Sequence, residues 1–174
     1  MLKMKPNVQK LMNEQINKEY FSAYLYLSMS EWLMQNGWIG AAHWMNIQYH
    51  EELAHAEGFV SYMQMRGVPI VFEGIDKPKA EWDSLLQVFE EALAHEEMIS
   101  DSIQKIVEAA RTAGDRAAEL FLDWYILEQI EEETAADNNV LLIKRADGDM
   151  RVLVAVDNEM ANRVNEPIVI PHID

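Results

Sequence analysis

The sequence predicts an all-α protein, a four-helix bundle with one long crossover loop and a short fifth helix near the C-terminal end. Three observations predict this fold. Apolar residues recur at three- and four-residue steps over four long stretches, which is the spacing of amphipathic helices. Helix breakers are scarce, with 7 glycines and 5 prolines in 174 residues. One connection is long, whereas the others are short, and this favours a bundle with a single crossover.

The first two helices each lie between turn signals. Pro6 and Asn7 suit the start of the first helix, and Asn36-Gly37 suits its end. The second helix is expected to stop near Gly67 and Pro69. A short break joins the two helices, so they should form an antiparallel hairpin. Their apolar stripes are Val8, Met12, Ile16, Ala23, Tyr26 and Leu33 in the first, and Trp38, Ala42, Met45, Tyr49, Ala56, Phe59 and Met63 in the second.

The third and fourth helices form a second predicted hairpin. Asp83 or Ser84 is expected to cap the third helix, and the Gly114-Asp115 break separates it from the fourth. The stripes are Leu85, Phe89, Ala92, Ile99, Ile103, Ile106 and Ala110 in the third helix, and Ala118, Phe121, Tyr125, Ala135 and Leu142 in the fourth.

The crossover loop, Gly67 to Trp82, fixes the topology. It reaches about 50 Å when extended, and a helix of roughly 27 residues is about 40 Å long. The loop can therefore run the length of the bundle and place the third helix parallel to the second.

The C-terminal part is predicted to hold a short helix and an irregular tail. After the break at Ala146-Asp147-Gly148, the apolar residues Met150, Val154 and Met160 have helical spacing. Residues 1–163 are therefore expected to form one domain, and residues 164–174, with two prolines, an irregular tail.

The charge and composition exclude several classes of function. A formal net charge of −16 disfavours nucleic acid and anionic membranes as partners, because like charges repel, whereas it attracts cations. The chain has no cysteine, which rules out disulfides and thiolate metal sites. Residues 1–10 have no apolar signal-peptide region, and no run of about 18 apolar residues exists, so we expect a cytoplasmic protein that does not span a membrane.

Glutamates interrupt the apolar stripe of every long helix without changing its spacing. A single glutamate of this kind is usually a boundary residue, but burying an unpaired carboxylate in all four helices would cost several kcal/mol each time. No lysine or arginine lies on these stripes near them. Two divalent cations would balance four such carboxylates. The glutamates on the stripes are Glu19, Glu52, Glu96, Glu128 and Glu132, and the four that two cations would balance are Glu19, Glu52, Glu96 and Glu132.

His55 specifies the chemistry further. Glu52 and His55 form a Glu-x-x-His pair, whose spacing places both groups on one helical face. Together with single glutamates on two other helices, the pair matches the di-iron carboxylate pattern of helical bundles. Oxygen-rich ligation with one imidazole suits iron or manganese. The fourth helix departs from this pattern, because Ala135 stands three residues after Glu132 where a second histidine is usual, so one metal should bind more weakly.

These motifs together resemble the bacterial non-haem ferritins over about residues 6–163. The resemblance rests on Asn13-Glu14-Gln15 through Glu19-Tyr20, His43-Trp44, Glu51-Glu52-x-x-His55, His95-Glu96-Glu97 and Glu128-Gln129-x-Glu131-Glu132-Glu133. It implies a ferritin-like bundle and a ferroxidase centre, with Tyr26 beside it and Trp124 close to it. The residues that match the ferroxidase centre are Glu19, Glu52, His55, Glu96, Gln129 and Glu132.

The resemblance also implies a third iron site and a shell. Glu51, Glu128 and Glu131 match the extra site of the bacterial branch, and Glu132 is placed to serve both sites. The implied function is oxidation of Fe²⁺ by O₂ or H₂O₂ and storage of ferric mineral inside a homo-oligomer of about 24 subunits. The fifth helix matches the one that lines the fourfold pores, whereas the tail beyond it has no family counterpart.

Other related protein families, and a function without catalysis, fit these residues less well. A haem-carrying bacterioferritin would have methionine at Leu53 and Glu-x-x-His on the fourth helix, so no haem is predicted. A rubrerythrin would need cysteines. A DNA-protecting mini-ferritin would lack the fifth helix. The non-enzymatic alternative is a helical subunit that forms shells without oxidising iron, which aerobic addition of Fe²⁺ would distinguish.

Overall fold

The computed structural model describes residues 3–171 and contains five helices and no strand within that range. The three last residues of the tail and the first two of the chain lie outside the described residues. The helices are α1 (Pro6–Gln35), α2 (Ile39–Met65), α3 (Leu85–Ala113), α4 (Arg116–Arg145) and α5 (Met150–Met160). The predicted all-α fold with four long helices and a short fifth one is confirmed.

The predicted helix ends follow from local chemistry. Ser84 accepts a hydrogen bond from the Gln87 N–H at 3.1 Å and so caps α3. That helix ends at Gly114, whose φ of 66° is the left-handed conformation that glycine adopts without strain. Asp115 then caps α4 by accepting from the Ala118 N–H at 3.2 Å.

The core consists of two apolar clusters, and their membership fixes the helix directions. One cluster joins the N-terminal halves of α1 and α4 to the C-terminal halves of α2 and α3. The other joins the opposite halves and includes Met160 of α5. Because α2 and α3 contribute the same halves to each cluster, they are parallel, as the crossover loop predicts.

The crossover loop lies along α1, and side chains of α1 hold it. Asn13 accepts from the Val71 N–H at 2.7 Å, Asn17 donates to the Gly74 carbonyl at 3.2 Å, and Ser28 donates to the Lys79 carbonyl at 2.6 Å. These successive contacts carry the loop from one end of the bundle to the other.

The inward stripes of α4 and α5 differ from the sequence prediction. Leu142 is 40% exposed, and the buried stripe after Glu132 continues instead through Ala136, Val140 and Ile143. Steps of three and four residues fit either register, so periodicity alone did not settle the helix rotation. In α5 the predicted inward residues Met150 and Val154 are exposed, and Leu153, Val156, Asp157 and Met160 lie toward the bundle.

Candidate metal centre

A layer of buried polar residues lies between the two apolar clusters. Each of the four long helices contributes at least one side chain to it, and none of these residues is more than 5% exposed. They extend the apolar stripe of each helix, which explains why folding the apolar stripes inward also buries them. The residues are Glu19 of α1, Glu52 and His55 of α2, Glu96 of α3, and Gln129 and Glu132 of α4.

Two groups of potential ligands meet at His55. Ligand atoms of Glu19, Glu52 and His55 lie within 4.8 Å of one another, and so do those of His55, Glu128 and Glu132. The His55 Nδ1 is 3.5 Å from the Glu52 Oε2, and its Nε2 is 3.8 Å from the Glu128 Oε1. The imidazole is thus bordered by carboxylates on both sides.

Four buried atoms of the layer make no hydrogen bond within residues 3–171. They are the Glu19 Oε2, both Glu52 carboxylate oxygens and the His55 Nε2. A buried polar group without a partner costs about 1–3 kcal/mol, and a charged group costs more. Three oxygens and one imidazole nitrogen without hydrogen-bond partners are a donor set that Fe²⁺ or Mn²⁺ accepts. The residues therefore fit a bound divalent cation.

Amides and a phenol hold the other carboxylate oxygens. The Glu19 Oε1 accepts from the Gln15 amide at 2.9 Å, and the Glu132 Oε2 accepts from the Gln48 amide at 2.7 Å. Glu96 accepts from the Gln129 amide at 3.0 Å and from the Tyr26 hydroxyl. Neutral donors fix the directions of these three carboxylates without neutralising their charge. This leaves the charge available for a cation.

Sequence reasoning missed Gln15 and Gln48 as supports of the centre. Both are 1% exposed, and each stands four residues before a stripe glutamate, Glu19 and Glu52 respectively. A long amide one turn before a buried carboxylate was the signal that could have found them, because i and i+4 side chains share a face.

The electrostatics of the centre show that its charges are poorly compensated. Burial raises the pKa of Glu96 to about 8 and that of Glu132 to about 7. Burial also raises the pKa of Glu19 and of Glu52, and Glu96 adds to the rise at Glu52. Burial alone would lower the pKa of His55, but Glu52 and Glu128 raise it well above its usual value. Cations would relieve this accumulation of like charges.

Aromatic side chains border the imidazole and Glu96. The Trp124 ring centroid lies 5.7 Å from that of His55, and the Tyr125 hydroxyl donates to the His55 carbonyl at 2.8 Å. Burial raises the pKa of Tyr26 well above its usual value, and Glu96 adds to the rise, so this phenol stays protonated and donates.

The residues of the predicted third site are less closely grouped. Glu128 lies beside His55 and Glu132, as described above, with 18% of its side chain exposed. Glu131 is exposed on α4. The Glu51 carboxylate is paired with Arg163, whose Nη2 lies 2.6 Å from its Oε2. No sequence observation had pointed to Arg163.

Comparison with known proteins agrees with this geometry. The family model described as a ferritin-like domain matches residues 9–146. The chain belongs to the ferritin-like domain family. A bacterial non-heme ferritin of Bacteroides fragilis is 37% identical over 156 residues, covering 90% of this chain and 97% of that protein. One of Campylobacter jejuni is 40% identical over 126 residues, covering 72% of this chain and 75% of that protein.

Solved structures of the ferritin-like domain family match the whole bundle. The open pore ferritin of the archaeon Archaeoglobus fulgidus is similar with a TM-score of 0.91 at 36% identity, covering 92% of this chain and 99% of that one.

Between residues 3 and 171, none of the helices has the length and apolar character that a membrane-spanning helix needs.

Proposed function

We propose that this protein stores iron: it binds Fe²⁺ at the buried carboxylate layer, oxidises it there, and holds the ferric product inside an oligomeric shell. The observation that carries the proposal is the set of four buried atoms on Glu19, Glu52 and His55 that make no hydrogen bond. A bundle that needed only stability would have apolar residues there, since replacing buried charges with well-packed apolar groups is often stabilising.

The side chains divide into those that bind and those that orient. Glu19, Glu52 and His55 would hold one Fe²⁺, and Glu96 and Glu132 would hold the second. Gln129 and Tyr26 would orient Glu96, because both donate to its carboxylate. The second position has no imidazole of its own, so we expect it to bind more weakly.

The proposed reaction is a two-electron oxidation of paired Fe²⁺. Each Fe²⁺ gives up one electron to become Fe³⁺. The two electrons and two protons convert O₂ to H₂O₂, or convert H₂O₂ to two water molecules. Iron is both the substrate and the cargo here, and the weak second position would let the product leave for storage.

The proposed third site consists of Glu51, Glu128 and Glu131, with Glu132 shared between it and the centre. Burial raises the pKa of Glu51 although Arg163 and His55 oppose the rise, and Glu128 adds to it because the two carboxylates lie near one another. This nearness of Glu51 and Glu128 supports the proposed site. We expect this site to act in transfer of iron and not in its first oxidation. Anomalous scattering from an iron-soaked crystal tests it, with Glu131→Ala expected to remove the weakest of three peaks. Two peaks at saturating iron, with Glu131→Ala kinetically silent, would remove the proposal.

Aerobic addition of Fe²⁺ tests the oxidation proposal. Glu52→Ala and His55→Ala should each abolish fast oxidation, followed by ultraviolet absorbance, while circular dichroism shows intact helices. Glu57→Ala and His50→Ala are matched controls, since both change the same residue type at exposed positions of the same helix. Oxidation by either centre variant at the wild-type rate would place the reaction elsewhere. A wild-type protein that assembles but does not oxidise iron would favour the non-enzymatic shell.

A further inference from the structure

Arg163, which follows α5, places its guanidinium beside the metal centre. Its Nη2 donates to the Glu51 Oε2 at 2.6 Å, and its Nη1 donates to the Gln48 side-chain oxygen. We propose that the Arg163 guanidinium is a built-in cation paired with the Glu51 carboxylate. A third metal ion binds to Glu51 only by displacing this guanidinium. This inference rests on the proposed function, because it concerns access to the same centre.

The Arg163 guanidinium and a metal ion compete for the Glu51 carboxylate, because both are positively charged. The Glu51 side chain is 12% exposed, so its carboxylate is mostly removed from water and needs a positive partner. Arg163 supplies that partner with a charge-assisted hydrogen bond. A metal ion at Glu51 would bring a second positive charge next to the guanidinium. Binding of the metal and retention of the ion pair therefore compete.

Arg163 also positions Glu132 through Gln48. The guanidinium donates to the oxygen of the Gln48 amide, and the nitrogen of that same amide donates to the Glu132 Oε2 at 2.7 Å. An amide group can turn over, and a donor on its oxygen selects one of the two orientations. Arg163 thus keeps the amide nitrogen pointed at Glu132, which makes it a positioning residue for the centre.

Contacts around Arg163 hold the guanidinium in place. Its carbon Cζ lies 4.4 Å from the Trp44 ring centroid, and its main-chain oxygen is 2.9 Å from the His43 Nε2. Its side chain is only 23% exposed. Stacking on an aromatic ring suits arginine better than lysine, so lysine is not an equivalent replacement.

The segment after Arg163 crosses the same face of α2. Glu51, His55 and Gly58 are separated by four and three residues and so share one face. Ile170 packs on the apolar cluster near that face, and a Cβ added at Gly58 would overlap its Cδ1. The seven steps of the chain from Arg163 to Ile170 span at most about 24 Å, against about 10 Å of helix rise between Glu51 and Gly58. The chain is thus long enough to let Arg163 withdraw while Ile170 stays attached.

Zn²⁺ binding to the metal-free, assembled protein tests the inference without any oxidation. Isothermal titration of the wild type should give two tighter sites per subunit and one weaker site. Arg163→Ala should tighten the weakest site by about tenfold, because the competing cation is gone. Arg163→Lys, which keeps the charge but loses the fork of hydrogen bonds, should fall between the two. Arg151→Ala is the matched control, since its side chain is 91% exposed and pairs with Asp149 away from the centre.

The location of the third ion is tested by crystals of Arg163→Ala soaked in Zn²⁺. An anomalous peak should lie within ligand distance of Glu51 at a Zn²⁺ concentration at which the wild type lacks it. Equal third-site affinity in wild type and Arg163→Ala, with both tighter sites intact, would overturn the inference and leave the proposed function standing. Loss of both tighter sites in Arg163→Ala would also overturn it, because removing a residue that only orients Glu132 should weaken one tighter site without abolishing either. A wild type without two tighter sites would instead overturn the proposed function itself.

Discussion

Replacing Glu132 with glutamine should make the metal-free protein more stable at neutral and alkaline pH. The pKa of Glu132 rises from 4.5 to about 7 in the folded state because the carboxyl is buried. The folded state therefore binds a proton more tightly than the unfolded chain does, so stability declines as pH rises from 4.5 through 7. Between pH 5.5 and 8 this decline amounts to about 2 kcal/mol, because its slope is about 1.36 kcal/mol for each pH unit well below the folded-state pKa and vanishes above it.

Glutamine has no carboxyl to ionise, and its oxygen can still accept the hydrogen bond from Gln48. Between pH 5.5 and 8, the free energy of unfolding of Glu132→Gln should therefore fall by about 2 kcal/mol less than that of the wild type. Some decline should remain in the variant, because Glu96, with a pKa of about 8, and His55, whose pKa is also raised, change stability in the same direction.

Urea unfolding with a metal chelator, followed by circular dichroism at one protein concentration, measures this effect. A fixed concentration matters because assembly contributes to apparent stability. Glu133→Gln, on the partly buried side of α4 outside the layer, serves as control. Equal pH dependence in the wild type and Glu132→Gln would refute the view that the buried carboxyl is uncompensated in the absence of metal.

Three further predictions concern packing and assembly. Gly40→Ala should weaken docking of α5 on α2 and reduce assembly seen by native mass measurement, because its Cβ would overlap the backbone of Asp157, whereas Gly74→Ala, in open space, should not. Arg66→Ala should cost about 3–5 kcal/mol in urea unfolding, since it leaves the 8% exposed Asp115 without its ion pair at 2.9 Å; a loss below 1 kcal/mol would contradict this. The native protein should have a mass of about 24 subunits and dissociate more readily at low salt because each subunit carries a formal charge of −16; a monomer or dimer at every salt concentration would exclude a storage shell.

The sequence predicted the bundle and the buried glutamates because both depend on the same periodicity. Stripe spacing placed Glu19, Glu52 and Glu96 inward, and the structure buries all three. The directions of the helices followed from loop lengths alone, which limit where the next helix can begin. Gln129, a residue of α4 implied by the family resemblance, is also buried and contacts Glu96.

The sequence did not predict features that depend on the rotation of a helix or on contacts between residues far apart in the chain. Leu142 was placed inward because its spacing fits, but a small rotation of the helix exposes it. Arg163 follows the end of a short helix and belongs to no stripe. Its partners Glu51 and Gln48 are 112 and 115 residues away along the chain. No local pattern specifies such pairings, because they arise from how α5 docks on α2.

The hydrogen bond between Asp157 and the start of α2 has a consequence for the order of folding. The Ala41 N–H donates to the Asp157 Oδ1 at 2.8 Å, and Trp38, the residue before α2, offers no side-chain cap of its own. A missing cap costs a helix about 1 kcal/mol. During synthesis, α2 leaves the ribosome well before Asp157, which is 116 residues further along. The first turn of the helix that carries Glu52 and His55 therefore stays uncapped until Asp157 has been synthesised and α5 has docked on α2.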